Sequence, residues 1–87
     1  MSDATPGLNM IRTGPRGGVP LLFLHALGLD LSVWEQQIHA FARDRDVIAI
    51  DLPGHGRSPH GQEAPSFAGF AQVLVALLGA LRTGPVD

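Results

Sequence analysis

Five side chains able to move protons, hold a metal or attack a carbonyl crowd into two short stretches. His25 ends the run LLFLH, and Asp51, His55, Ser58 and His60 lie within DLPGHGRSPH. Three chemistries use such residues. A hydrolytic triad needs a serine, a histidine and an acid, which here means Ser58, His25 or His55, and Asp51. Ser58, however, lies in a turn, where a hydroxyl serves more simply as a local hydrogen-bond partner. A metal site could be drawn from His25, His55, His60 and Asp51. His55 and His60 lack the helical i, i+4 spacing that aims two ligands at one ion, so these read as exposed loop histidines and no metal is expected. The third chemistry belongs to the backbone. Gly28 lets the chain bend just after His25, and such a loop can aim N–H groups at a developing oxyanion.

The elements that must position these residues can be read from apolar patterning. Leu21–His25 is a continuous apolar run, too short for a helix and bounded by turn residues, which predicts a strand buried on both faces. Val47–Asp51 repeats the pattern. Between them Ser32 and Glu35 have the spacing of a capping box. Trp34, Ile38, Phe41 and Ala42 then form one helical stripe. Strand, helix, strand makes a βαβ unit with a right-handed crossover. A short strand is expected at Leu8–Arg12. A second helix is expected over about 67–82, started by Ser66 and stopped by Gly84 and Pro85. His39 reads as a boundary position and Trp34 as packing near the rim that could wall a pocket. In a parallel sheet, ligands gather beyond the carboxyl ends of the strands, which is where both chemistry-bearing loops emerge.

Composition narrows the function classes. The chain has 87 residues, 45% hydrophobic and 16% charged, enough for one modest core. Six arginines, no lysine, eight acids and no basic run argue against a nucleic-acid footprint or a membrane patch. The absence of cysteine removes disulfides and thiol nucleophiles. The N-terminus has no secretory pattern, so the expected location is cytoplasmic. The uncharged stretch Phe67–Leu81 is 15 residues long, against the ~20 needed to cross a bilayer. It reads as a soluble helix covered on most of its surface.

HALG, followed beyond the next helix by DLPGHGRS, resembles the front half of an α/β-hydrolase. Members of that family carry a histidine-glycine loop after one strand and D-x-P-G-x-G-x-S after the next. The likeness spans Leu8 to Asp87 and is strongest from Leu21 to Ser58. It implies an α/β class, specifically a partial α/β-hydrolase fold in a single incomplete domain, residues 1–87. It also implies that Leu27 gives one oxyanion-hole N–H, while His25, Ala26, Gly28, Asp51, Pro53, Gly54, Gly56 and Ser58 shape the two loops. Ala26 stands where the family usually has glycine, a change that backbone geometry tolerates unless φ is positive. Gly28, where dehalogenases and epoxide hydrolases tend to have proline, leans toward esterases, lactonases and C–C hydrolases.

None of the four serines, Ser2, Ser32, Ser58 and Ser66, sits in a G-x-S-x-G elbow. The resemblance therefore implies the N-terminal portion of a serine-type hydrolase for an ester, lactone or similar carbonyl, with no cofactor. No member of the triad is present, the partner is a complementary C-terminal polypeptide carrying G-x-S-x-G, and the 87-residue chain alone is inactive. The alternative is a non-catalytic βαβ interaction module that docks a partner or dimerises.

Overall fold

The computed structural model describes residues 7–59 and 66–87. Three strands form one sheet, β1 (Met10–Thr13), β2 (Leu21–Leu24) and β3 (Val47–Ile50), in the order β1-β3-β2. β2 runs parallel to β3 with Leu21 opposite Val47, and β1 runs antiparallel with Met10 opposite Ile50. The two expected parallel strands are present, each one residue shorter than read. His25 and Asp51 are the first residues beyond the ladder. The short N-terminal strand lies at Met10–Thr13 and makes the sheet mixed.

The central strand explains the layers. All four residues of β3 are fully buried, and they alternate between two helices. Val47 and Ala49 pack with Ile38 of α1 (Glu35–Phe41), while Ile48 and Ile50 pack with Leu77 of α2 (Phe67–Leu81). A strand covered on both faces has no need of polar alternation, which is why VIAI reads as a solid apolar run.

Two local expectations are corrected. The capping box at Ser32 and Glu35 does not form. A single 3-10 turn, Leu31–Trp34, precedes α1, and Asp30 caps it by accepting from the Ser32 N–H at 2.9 Å and from the Ser32 hydroxyl. The aspartate carboxylate captures these donors from two residues before the expected cap. The hydroxyl contact, followed by the N–H bond, holds the Asp30 carboxyl below its usual range. The second correction concerns the end of α2. Gly84 and Pro85 are not its stop, because Arg82 takes the left-handed conformation itself, φ 58°. The Thr83 N–H bonds the Leu78 carbonyl and the Arg82 N–H that of Gly79, a Schellman closure. At the other end Ser66 caps α2 as expected, accepting from the Gly69 N–H at 2.9 Å.

α2 is less covered than its composition predicts. Phe70 and Leu77 are buried, yet Phe67 is 78% and Val75 71% exposed. No helix among the described residues is long and apolar enough to cross a membrane.

Buried acids tie the layers together. Asp46 receives both Nε and Nη2 of Arg12, at 3.1 and 2.8 Å, joining β1 to the entry of β3. Asp51, 2% exposed, accepts from the Leu31 N–H (2.7 Å), the Asn9 side-chain amide (2.8 Å) and the Arg57 N–H (3.0 Å). Burial pushes the Asp51 carboxyl up, but these three donors together outweigh it and hold the group below the ordinary carboxylate range. The Arg12 hydrogen bonds hold Asp46 down likewise.

Folded carboxyls held low lose fewer protons' worth of stability at neutral pH than in acid. Their contribution is complete above the unfolded value of about 3.9 and is lost as pH falls through the lower folded values. Urea midpoints should therefore drop below about pH 4 as these carboxyls protonate. Asp51→Asn should flatten that drop, and Asp51→Ala should cost about 3 kcal/mol or more at pH 7 by stranding buried donors. Arg82→Gly should act oppositely, since it relieves a left-handed arginine worth about 1 kcal/mol, and raise Tm by roughly 4–8 °C in calorimetry.

Candidate functional site

Because β2 and β3 are parallel, the loops that follow them leave the sheet at the same rim. His25 joins them. The ring is buried, and the Leu52 N–H donates to its Nε2 at 3.0 Å. A backbone N–H can only donate, so Nε2 must be the bare nitrogen and Nδ1 must carry the proton. That proton goes to the Ala26 carbonyl, 2.8 Å away. His25 is therefore a neutral imidazole with both nitrogens engaged, one on each loop. It is no exposed loop histidine and has no lone pair left for a metal or a serine.

The bond to Ala26 has a further geometric result. The Ala26 carbonyl and the Leu27 N–H belong to one planar trans peptide, in which they point opposite ways. Fixing the carbonyl on His25 therefore fixes the direction of the Leu27 N–H, away from the ring. The same carbonyl accepts from the Leu29 N–H at 3.1 Å, closing a turn in which Gly28 has φ 84°. A side chain there would be strained, so glycine is required. Ala26 has no positive φ, which is why alanine is tolerated. The Leu27 N–H donates to no acceptor among the described residues, and Leu27 is 55% exposed.

The second loop is built from consecutive turns. The His55 N–H bonds the Leu52 carbonyl at 2.9 Å, with Pro53 and then Gly54 (φ 76°) at the centre, the residues a type II turn demands. Gly56 (φ 50°) lies against the Asp51 carboxylate, where any Cβ would collide with it. The Ser58 hydroxyl donates to the Asp51 carbonyl at 2.6 Å and accepts from the Asn9 N–H at 2.9 Å. Neither His25 nor His55 is bonded to Ser58 or to the Asp51 carboxylate, so the geometry assembles no triad from them. His60 lies outside the described residues. Among those described, no three metal-ligating side chains converge.

Beside Leu27 a cleft of about 290 Å³ opens between Leu24–Leu27, Leu52 and the first turns of α2 at Phe67, Phe70 and Leu74. Its lining is apolar apart from His25. Trp34, read as a possible pocket wall, does not line it. Its ring stacks on Phe23, centroids 4.8 Å apart, within the layer that α1 makes with Val47 and Ala49, on the opposite face of the sheet from α2. A larger hollow of about 380 Å³ between β1 and α1 contains neither loop.

Of two further contributors, one has no sequence signal and the other a signal that points to a different role. Asn9 bonds both Asp51 and Ser58, and nothing local distinguishes it from any asparagine ahead of a strand. His55 packs its ring 5.1 Å from that of His25 and donates Nδ1–H to the Pro53 carbonyl at 3.0 Å. The signal for it, a second ring in the bend, was visible but had been weighed only as a ligand or base.

The site can be set beside known proteins. The chain is 38% identical over 74 residues to a dihydrolipoyllysine-residue acetyltransferase component of an acetoin cleaving system from Pseudomonas putida, covering 85% of this chain and 20% of that one. It superposes on a thermophilic esterase from Thermogutta terrifontis with TM-score 0.82 and 32% identity, over 97% of this chain and 32% of the esterase. An enol-lactonase from Burkholderia xenovorans LB400 gives TM-score 0.81 and 27% identity, over 97% and 34%. The chain thus spans about a fifth to a third of the relatives it matches. A family profile described as the alpha/beta hydrolase fold matches residues 19–86. With the paired loops, the parallel β2–α1–β3 crossover and this match over most of its length, the chain belongs to the alpha/beta hydrolase fold family.

Proposed function

We propose that this chain is the N-terminal portion of a serine-type hydrolase acting on an ester, lactone or similar carbonyl, forming a single incomplete domain. The observation that carries the reading is the His25 clamp on the Ala26–Leu27 peptide, which leaves the Leu27 N–H directed and without an acceptor among the described residues. A fixed backbone donor of this kind suits the oxygen that gains charge when a serine attacks a carbonyl. Such a donor acts without reorganising, because its dipole is set by the fold before substrate arrives. The relatives named as an esterase and an enol-lactonase are consistent with that substrate class.

The nucleophile, its acid and its catalytic histidine then come from polypeptide carrying G-x-S-x-G. The open edge of β2 supports this part of the reading. The Asp87 N–H bonds the Pro20 carbonyl and the Leu22 N–H bonds the Asp87 carbonyl, both at 2.9 Å, which is the bonding of a parallel ladder. No cofactor enters the mechanism, and a cytoplasmic setting accords with it.

A second reading, an interaction module that docks a partner or dimerises, is favoured by the bare apolar side chains Phe67 and Val75. The two readings separate on mixing. The chain alone should show no turnover of p-nitrophenyl esters and should tend to associate. Adding polypeptide that begins with a V-x-x-x-G-x-S-x-G strand should restore esterase activity. A stable, soluble oligomer that gains no activity from the complement supports the module. Turnover by the chain alone that vanishes in Ser58→Ala overturns both.

A further inference from the structure

His55 has three fixed relationships that the mechanism above does not use. Its Nδ1–H is donated to the Pro53 carbonyl at 3.0 Å, so the ring is locked to the Pro-Gly turn. It packs on the His25 ring at 5.1 Å with a 47° tilt. Its other aromatic neighbour is Phe70 of α2, at 6.3 Å and 82°, close to an edge-to-face arrangement. His25 and Phe70 both line the cleft, and His55 does not. The second imidazole is thus a spacer between the pin of the oxyanion loop and the helix that forms the opposite wall.

The physical consequence follows from what holds His25. Its two hydrogen bonds and its Cβ set the plane of the ring, and those bonds can still stretch and bend unless neighbouring groups fill the space beside it. Packing resists that motion, and the aromatic ring packed beside His25 is that of His55, 5.1 Å away at a 47° tilt. We propose that His55 is a positioning residue, whose ring, held by Pro53 and backed by Phe70, keeps His25 at the tilt that directs the Leu27 N–H. This rests on the reading of Leu27 as an oxyanion donor for its catalytic consequence, though not for its structural one. The flat ring packed between His25 and Phe70 performs most of the role and the bond to Pro53 adds to its placement, so phenylalanine should recover most of what alanine loses.

The test uses the 87-residue chain and the reassembled enzyme. In ¹⁵N NMR of the chain, His55→Ala should broaden or lose the His25 Nδ1–H signal and shift the Leu27 amide, whereas His55→Phe should retain both near their wild-type positions. In the reassembled enzyme, His55→Ala should lower kcat about tenfold with KM within about twofold, and His55→Phe should recover most of it. If His55→Ala does not fold, His55→Leu against His55→Phe decides, since leucine fills volume without a flat ring. Unchanged His25 and Leu27 signals in the non-aromatic variant overturn the proposal, as does a phenylalanine variant that behaves like it. Should the NMR outcome hold while no mixture hydrolyses ester, the functional reading fails and the positioning role stands.

Discussion

A single buried carboxylate holds this architecture in register. Asp51 ends the central strand, and its two oxygens meet donors from the segment before β1, from the turn that opens α1 and from the Pro-Gly bend. The carboxylate is the buried partner, so its charge needs these donors. One side chain receives all three. The glycine at 56 follows from this arrangement, because a side chain there would occupy the space of the carboxylate. Ser58 extends the same knot by bonding the Asp51 carbonyl and the Asn9 N–H. The acid and serine that invite a catalytic interpretation are consumed in joining three pieces of chain.

His25 works on a different problem at the same rim. Asp51 joins segments through a charge, whereas His25 joins them through the asymmetry of a neutral ring, with one nitrogen that receives and one that gives. No other side chain presents a donor and an acceptor on opposite corners of a rigid plane at this size. Glutamine has both groups, but on a flexible stem that would lose orientation. The requirement for histidine here is therefore structural, and it is distinct from the proton transfer for which histidines in hydrolases are usually sought.

The sequence showed those parts of the fold that depend on local rules. Two apolar runs bounded by turn residues marked β2 and β3 to within a residue; β3, buried on both faces, has no room for polar positions, whereas β2, read as equally buried, is only half-buried and Leu24 at its end is exposed. The bend after Asp51 was equally plain, since Pro53 and Gly54 have few other uses side by side. What stayed hidden depended on competition or on distance. Asp30 and Ser32 are both good caps, and only the three-dimensional path of the loop selects the first. Arg82 takes a conformation that residue type argues against, so no reading of propensity finds it. Trp34, read as the first residue of the helical stripe, instead closes the 3-10 turn before α1, and which face of the sheet it serves depends on the path of that turn against β3. Asn9 is remote in sequence from both of its partners.

The shared peptide between residues 26 and 27 divides labour within the chain. The direction of that amide is governed by the ring one position earlier, while the leucine side chain answers only to the hollow beside it. Position 27 can therefore vary in bulk and shape, retuning what fits there, without turning the dipole of its own backbone. Substitution at that codon reshapes the hollow, and the orientation of the peptide stays anchored elsewhere.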